Sequence, residues 1–294
     1  MLSHSKIEEI VTSYKSKGFY HPIKLFDNNK DFYLKYLESV SKIKNSSLKF
    51  EHRFKSHLIF KWVNDLMRDK RIISLVSPIL GENILCWNSI FFYKPKKTKY
   101  FVGWHEDKTY WKLKNNNIIT VSIALTVSNL KNGCLKISKH KINKVQYRTN
   151  NPKYNMLARG QDAILDLNTE SEDLILNAGE CAIFNQEAVH GSGPNNSDED
   201  RLLLAFRFIS PENITDMNHK SATLVSGVDN YNFYEKEPQP RFDLDPVSLK
   251  FHQEKMAKQA MIFGREKLNK YYLGFLSSLI KIRKIRELYY NYFK

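Results

Sequence analysis

Between residues 84 and 209 the chain is a succession of short apolar or alternating runs rich in β-formers, at 84–93, 118–127, 134–137, 180–184 and 202–209. Turn residues separate these runs, and no helical pattern lies between them. A doubly wound sheet needs a helix between successive parallel strands. Many short strands without such helices exclude that architecture and predict a closed or double-sheet β-fold.

The flanks have a different texture. Residues 3–17 carry Ile7, Ile10, Val11 and Tyr14 on one helical face, with Ser3 as cap and Gly18 as stop. Residues 29–44 and 55–77 also have helical spacing, the latter with Phe60, Trp62, Val63 and Leu66 toward the core. After a loop with three prolines at 229–246, the chain reads as helical from 247 to 294. The expected organisation is therefore an N-terminal helical layer at 1–80, a mainly β core at 81–212, and a loop with a C-terminal helical extension at 213–294 packed on the same domain, an α+β arrangement. A length of 294 residues suits one such domain. A hydrophobic share of 42% excludes overall disorder. No apolar run reaches the roughly 18 residues that a membrane-crossing helix needs. The first ten residues have early acids and no apolar stretch, so no secretory signal is expected.

The net charge of +15 invites a nucleic acid, an anionic membrane or an acidic substrate as partner. No helix-turn-helix, zinc-finger or RNA-binding signature accompanies it, and the chain is rich in Lys, Asn and Ile throughout. Nucleic acid is therefore not an expected partner. Cys86, Cys134 and Cys181 are odd in number and far apart, which builds neither a disulfide framework nor a zinc ribbon. A reducing, cytoplasmic setting is the expectation.

Of the nine histidines, two have an acid two places on: His105-Glu-Asp107 and His252-Gln-Glu254. With 31 acids in 294 residues one such match arises by chance. Context separates the two. His252 sits in a helical stretch, where residues two apart point about 200° apart and cannot grip one ion. His105 ends a strand-like segment, where residues two apart face the same side. Imidazole and carboxylate there can be neighbouring ligands, with a third from His140 or His190. His190 opens the turn-rich Gly191-Ser-Gly-Pro-Asn-Asn-Ser197, and the next strand begins at Arg201. A hairpin there would bring His190 and Arg201 together. Two histidines and one carboxylate form the facial triad of non-haem Fe(II) oxygenases. A nearby guanidinium suits a carboxylate such as the distal one of 2-oxoglutarate, because it presents a planar bidentate fork.

Several stretches, in order, resemble one family. They are Lys94-Pro95, Trp104-His-Glu-Asp107 with Tyr110-Trp111, Ile123-Ala-Leu125, Asn132-Gly-Cys-Leu135, His190-Gly-Ser-Gly-Pro-Asn195 with Ser197, Arg201, and Arg207-Phe-Ile. Together they are similar to the phytanoyl-CoA dioxygenase family of Fe(II)/2-oxoglutarate-dependent oxygenases, over about 84–212. The resemblance implies a double-stranded β-helix, the cupin-like jelly roll. It implies that His105, Asp107 and His190 bind Fe(II), that Arg201 anchors 2-oxoglutarate, and that Ser192 contacts the same carboxylate. It implies a dioxygenase that consumes molecular oxygen, converts 2-oxoglutarate to succinate and CO2, and hydroxylates or otherwise oxidises a small organic substrate. Two departures from the family pattern matter. Where members carry Pro-Gly-Ser-His, this chain has Ile137-Ser-Lys-His140, so the substrate side differs. Halogenating relatives carry a small residue in place of the carboxylate; Asp107 is present here, which favours hydroxylation.

Other residues are open to two readings. Trp104, Tyr110 and Trp111 flank the site and serve as pocket wall or core. Lys94, Lys96, Lys97 and Lys99 form a basic cluster that would receive an anionic substrate or be a solvated loop. Arg207 lies six places beyond Arg201, on the same strand face, and is the rival cosubstrate anchor or a substrate contact. Near the C-terminus, Phe275, Leu279, Ile282, Ile285, Tyr289 and Tyr292 recur at helical spacing among lysines and arginines. Such a helix packs on the core or a dimer partner, or touches an anionic membrane surface. Monomer and homodimer both fit. The competing functions are a non-catalytic cupin-like binding protein and a halogenase-related oxygenase.

Overall fold

A computed structural model describes residues 2–27, 30–43, 50–111, 113–115, 117–142, 144–149, 153–157, 161–166, 168–215 and 220–266. The helix expected around 275–292 lies outside them. The strands are β1 (Phe19–Lys24), β2 (Ile84–Lys94), β3 (Val102–His105), β4 (Ile118–Ala124), β5 (Leu135–Ser138), β6 (Gln146–Thr149), β7 (Gln161–Ile164), β8 (Ser171–Leu174), β9 (Glu180–Phe184), β10 (His190–Ser192), β11 (Arg201–Ile209), β12 (Ser221–Ser226) and β13 (Glu235–Lys236). The helices are α1 (His4–Lys17), α2 (Lys30–Lys42), α3 (Phe50–Arg53), α4 (Lys61–Met67), α5 (Lys70–Leu80), α6 (Lys108–Trp111) and α7 (Pro246–Glu266), with a 3-10 turn at Ser56–Leu58.

Seven strands form the large sheet in the order β1-β9-β4-β11-β2-β12-β13, and four form a smaller sheet, β3-β10-β5-β8. The β6–β7 pair is a separate hairpin. Two facing sheets match the closed or double-sheet fold expected from the strand pattern, and the jelly roll that the family resemblance implies. The large sheet reaches beyond the 81–212 span. It recruits β1 from the N-terminal segment, paired with β9, and β12 from the C-terminal side, paired with β2.

Strand β11 shows how the sheet separates packing from chemistry. All nine of its residues are buried, so no solvent alternation marks it. Its period-two alternation is chemical instead. Leu202, Leu204, Phe206 and Phe208 join the core against Ile10, Val63, Ile72 and Leu75 of the helical layer. Arg201, Leu203, Ala205 and Arg207 point the other way, into a cleft between the two sheets. Burying each of the two phenylalanines contributes roughly 1.5–3 kcal/mol, and that helical face fixes which way the two arginines must point.

The helical layer follows its local signals. Ser3 accepts the Lys6 amide at 3.3 Å and caps α1, and Gly18 ends it at φ 86°, a conformation that side chains disfavour. The single helix expected over 55–77 is broken instead. Phe60 is extended (φ −113°, ψ 117°), and Asp69 accepts the Arg71 amide at 2.9 Å to start α5. Helical spacing of apolar residues continues across both breaks, which is why periodicity alone does not reveal them.

Candidate metal and cosubstrate site

His105 ends β3, and His190 starts β10. The two are directly paired across the small sheet. Asp107 lies two residues past His105, just before α6. Ligand atoms of His105, Asp107 and His190 all lie within 4.8 Å of one another, and all three residues are buried. The close approach of β10 to β3 depends on Gly191, where an added Cβ would meet the Val102 carbonyl at 3.0 Å.

Hydrogen bonds fix both rings. His105 Nδ1 lies 2.9 Å from the Gly103 carbonyl and His190 Nδ1 2.9 Å from the Ala188 carbonyl. A carbonyl can only accept, so each Nδ1 carries the proton, and Nε2 is the nitrogen each ring offers to a metal. His105 Nε2 is 3.7 Å from Asp107 Oδ1. Burial, then the neighbouring His190, pushes His105 down to about 3, and burial also lowers His190. Both rings are neutral at pH 7, the form that ligates. Asp107 Oδ2 has no hydrogen-bond partner among the described residues. A buried carboxylate oxygen left open beside two neutral imidazoles fits a divalent cation, and leaving three further positions open fits Fe(II).

A second cluster lies toward the opposite end of β11. Arg201 is 1% exposed, its NH1 donates to the Gly133 carbonyl at 3.1 Å, and its Nε has no partner among the described residues. Burial brings it down to about 10. Lys94, its register partner on β2, is fully buried. Its Nζ donates to Ser192 Oγ at 2.7 Å and to the Gly193 carbonyl. Burial, then Arg201, pushes Lys94 down to about 6. Among the described residues, no carboxylate is hydrogen-bonded or ion-paired to either side chain. A buried guanidinium and a buried amine that a nearby anion would protonate are suited to an incoming carboxylate. Gly133 has φ +73°, and a Cβ there would meet the Gly193 carbonyl at 2.3 Å, so the Asn132-Gly133 turn admits only glycine where its carbonyl meets both side chains.

The structure departs from several sequence expectations. His190 and Arg201 do not share a hairpin: β10 belongs to the small sheet and β11 to the large one, so the turn-rich 193–200 segment carries the chain across the cleft. Both residues line that cleft, with Ser192, which brings them together from opposite walls. Lys94 does not belong with the solvated lysines. Its side chain follows the inward parity of β2, whereas Lys96, Lys97 and Lys99 are exposed. It is a partner of Ser192 and does not reach the Trp111 side of the cleft. Arg207 is not at the Arg201 end. Its NH2 is 3.7 Å from Asp107 Oδ2, and its guanidinium lies 4.7 Å over the Trp111 ring. Trp111 also stacks edge-on with Trp87 at 5.5 Å and is part of a buried cluster. Trp104 is outside the cleft lining, because strand alternation turns it away from His105; its amide donates to Asp162 at 2.8 Å. The Tyr110 side chain lies outside the described residues. His140 is exposed and takes no part in the cluster. Sequence reasoning missed Thr120 and Ser122 on β4, which line the cleft; single hydroxyls within an apolar run were the available signal.

A jelly roll with two histidines and a carboxylate converging between its sheets defines the class of non-haem iron oxygenases. Within that class, the sequence profile of the phytanoyl-CoA dioxygenase family matches residues 32–203. The chain belongs to this family of Fe(II)/2-oxoglutarate-dependent oxygenases. It is 29% identical over 184 residues to a probable alpha-ketoglutarate-dependent hypophosphite dioxygenase of Stutzerimonas stutzeri, a match covering 61% of this chain and 60% of that relative. Among solved structures it resembles ThoJ, a non-heme monooxygenase, with a TM-score of 0.70 and 23% identity over 86% of this chain and 99% of the other. It also resembles CytC3 with Fe(II) and alpha-ketoglutarate, with a TM-score of 0.59 and 20% identity over 83% and 96% of the two chains. These two likenesses concern the fold. Among the described residues, no helix is long and apolar enough to cross a membrane.

Proposed function

We propose that this chain is an Fe(II)- and 2-oxoglutarate-dependent oxygenase that hydroxylates, or otherwise oxidises, a small substrate. His105, Asp107 and His190 would hold the metal. Arg201, Ser192 and Lys94 would receive the distal carboxylate of 2-oxoglutarate. The observation that carries this reading is the pairing of two buried sites on one cleft that are incomplete among the described residues: a carboxylate oxygen without a donor, and a guanidinium and an amine without an anion.

With Fe(II) held there, molecular oxygen would be the oxidant, and 2-oxoglutarate would supply two of the electrons as it goes to succinate and CO2. The protein's own groups position and seal. The Gly103 and Ala188 carbonyls orient the two imidazoles. Leu203 and Ala205, between the two arginines of β11, give the middle of the cleft an apolar wall. The likeness to a probable hypophosphite dioxygenase supports a substrate that is also anionic.

The test is anaerobic addition of Fe(II) and then 2-oxoglutarate, followed by oxygen. The expected results are a visible charge-transfer band and then succinate. A chain that binds neither metal nor cosubstrate would be the non-catalytic jelly roll instead. Chlorinated product in the presence of chloride would favour the halogenase reading, against which Asp107 stands.

A further inference from the structure

The cleft has a third incomplete site, which the metal and cosubstrate assignments leave unused. Arg207 has a side chain 8% exposed and lines the cleft. Its NH2 stands 3.7 Å from Asp107 Oδ2, beyond hydrogen-bond reach, and its Nε has no partner among the described residues. Directly across on β4, in register with Arg207, is Thr120. Thr120 is 1% exposed and lines the same cleft, and its Oγ1 also lacks a partner among the described residues. The guanidinium carbon lies 4.7 Å over the Trp111 ring, a cation–π contact that helps hold it in place. A buried guanidinium with an open Nε and a buried hydroxyl on the neighbouring strand, both without an acceptor among the described residues, call for an acceptor from outside.

Position argues that the cosubstrate's anchored end does not supply it. Arg201 and Arg207 are six residues apart on one strand, a rise of roughly 20 Å at about 3.3 Å per residue. Leu203 and Ala205 intervene on the same face. The Arg201 end already suits the distal carboxylate. The Arg207 end lies beside Asp107, where a substrate must sit to be oxidised.

We propose that Arg207 and Thr120 form the binding site for the substrate's charged group, and that the substrate is a small oxyanion, a carboxylate or a phosphorus oxyanion. Two of its oxygens take the guanidinium and the Thr120 hydroxyl, which places the rest of the molecule next to Asp107. This rests on the oxygenase reading for the meaning of the site, while binding of the anion can be measured without turnover.

The probes are hypophosphite, methylphosphonate, propionate and, as the uncharged control, propionamide. Each is titrated by calorimetry into protein carrying Fe(II) and 2-oxoglutarate without oxygen, and again into metal-free protein. Wild type should bind hypophosphite and methylphosphonate, or propionate, and not propionamide. The class that binds separates phosphorus oxyanions from carboxylates. Arg207→Gln should weaken that binding by roughly 30-fold or more and Thr120→Val, a near-isosteric change, by roughly tenfold. Both should leave the Fe(II)–2-oxoglutarate band unchanged. If the band forms in wild type but no anion binds, the inference is overturned and the oxygenase reading stands. If Arg207→Gln loses the band, the residue serves metal or cosubstrate and the inference is overturned. If Thr120→Val and Arg207→Gln bind the anions as wild type does, it is overturned as well. If no band forms in wild type, the oxygenase reading fails, and the metal-free titration still decides the anion site.

Discussion

Two buried clusters of histidine and carboxylate lie in this fold, and they differ in one respect. Around Glu237 every oxygen is used. Oε1 accepts from Lys55 Nζ at 2.5 Å and Ser221 Oγ at 2.7 Å, and Oε2 accepts from His57 Nε2 at 2.9 Å and Thr223 Oγ1 at 2.7 Å. Burial alone would raise this carboxyl, but Lys55 and His57 outweigh it and hold it well below the usual range. Around Asp107, Oδ2 has no hydrogen bond among the described residues, and the Arg207 NH2 stands 3.7 Å away. The sequence holds a His and an acid in both cases, and both are buried. What separates them is completion. The first cluster closes on itself and ties the Ser56–Leu58 turn to β12 and the Glu237 loop. The second is left open among the described residues.

Breaking the comparison from the open side should give the largest effect. Asp107→Ala or His190→Ala removes one of three ligands, and iron binding and succinate formation should fall to background, read by metal analysis and product assay. The fold should survive, because neither side chain completes a protein network. Full activity in either variant would refute the triad. From the closed side the outcome reverses. Glu237→Ala leaves Lys55 and His57 buried without their acceptor, which should cost about 3–5 kcal/mol of stability. Chemical denaturation measures it, and iron affinity of the folded fraction should be unchanged. A Glu237→Ala protein as stable as wild type would show that completed hydrogen bonding does not mark the structural cluster.

At the other end of β11, Arg201→Ala should remove a charge-assisted anchor worth ~2–5 kcal/mol, so the 2-oxoglutarate affinity should drop by a factor of roughly 30 or more. Titration of the Fe(II)–2-oxoglutarate band checks it. Unchanged cosubstrate affinity would move the anchor to Arg207 and undo the division of the cleft into two ends.

Much of this was legible in the chain because strand parity is a strong rule. Arg201 and Arg207 share a face by period two, whereas Asp107 comes beside His105 through the turn that follows β3, where the expected strand has already ended. The double-sheet architecture followed from short strands without intervening helices. Other features were not legible, each for a physical reason. Strand β11 is covered on both faces, so hydrophobicity could not say which face met the cleft; only the two arginines mark it. Lys94 reads as one of four surface lysines, and its burial depends on the register that β2 takes against β11. Sheet assignment across the 193–200 turn is a long-range property, so two strands joined by a turn looked like a hairpin when they belong to facing sheets. The completeness of the Glu237 cluster joins residues up to 182 positions apart and leaves no local trace.

Lys94 tests the comparison from between the two clusters, because its hydrogen bonds are made while its charge is unmatched. Burial, then Arg201, lowers it from 10.5 to about 6. Between those values the unfolded chain holds a proton at Lys94 that the folded protein lacks. Stability of the cosubstrate-free protein should therefore rise with pH across this window, by at most ~1.4 kcal/mol per pH unit from this one group. Below about 6 both states are protonated and the slope from Lys94 vanishes. An arriving carboxylate reverses the balance by favouring the ammonium, so 2-oxoglutarate should bring a proton with it. Its affinity should fall as pH rises above 6, by no more than about tenfold per unit. Calorimetry of iron-loaded protein at pH 8, in buffers of different ionisation enthalpy, should read an uptake approaching one proton. In Lys94→Met the uptake should disappear and the stability slope flatten. Equal proton uptake in wild type and variant would show that Lys94 is already compensated in the folded protein, which would place it with Glu237 among the closed clusters.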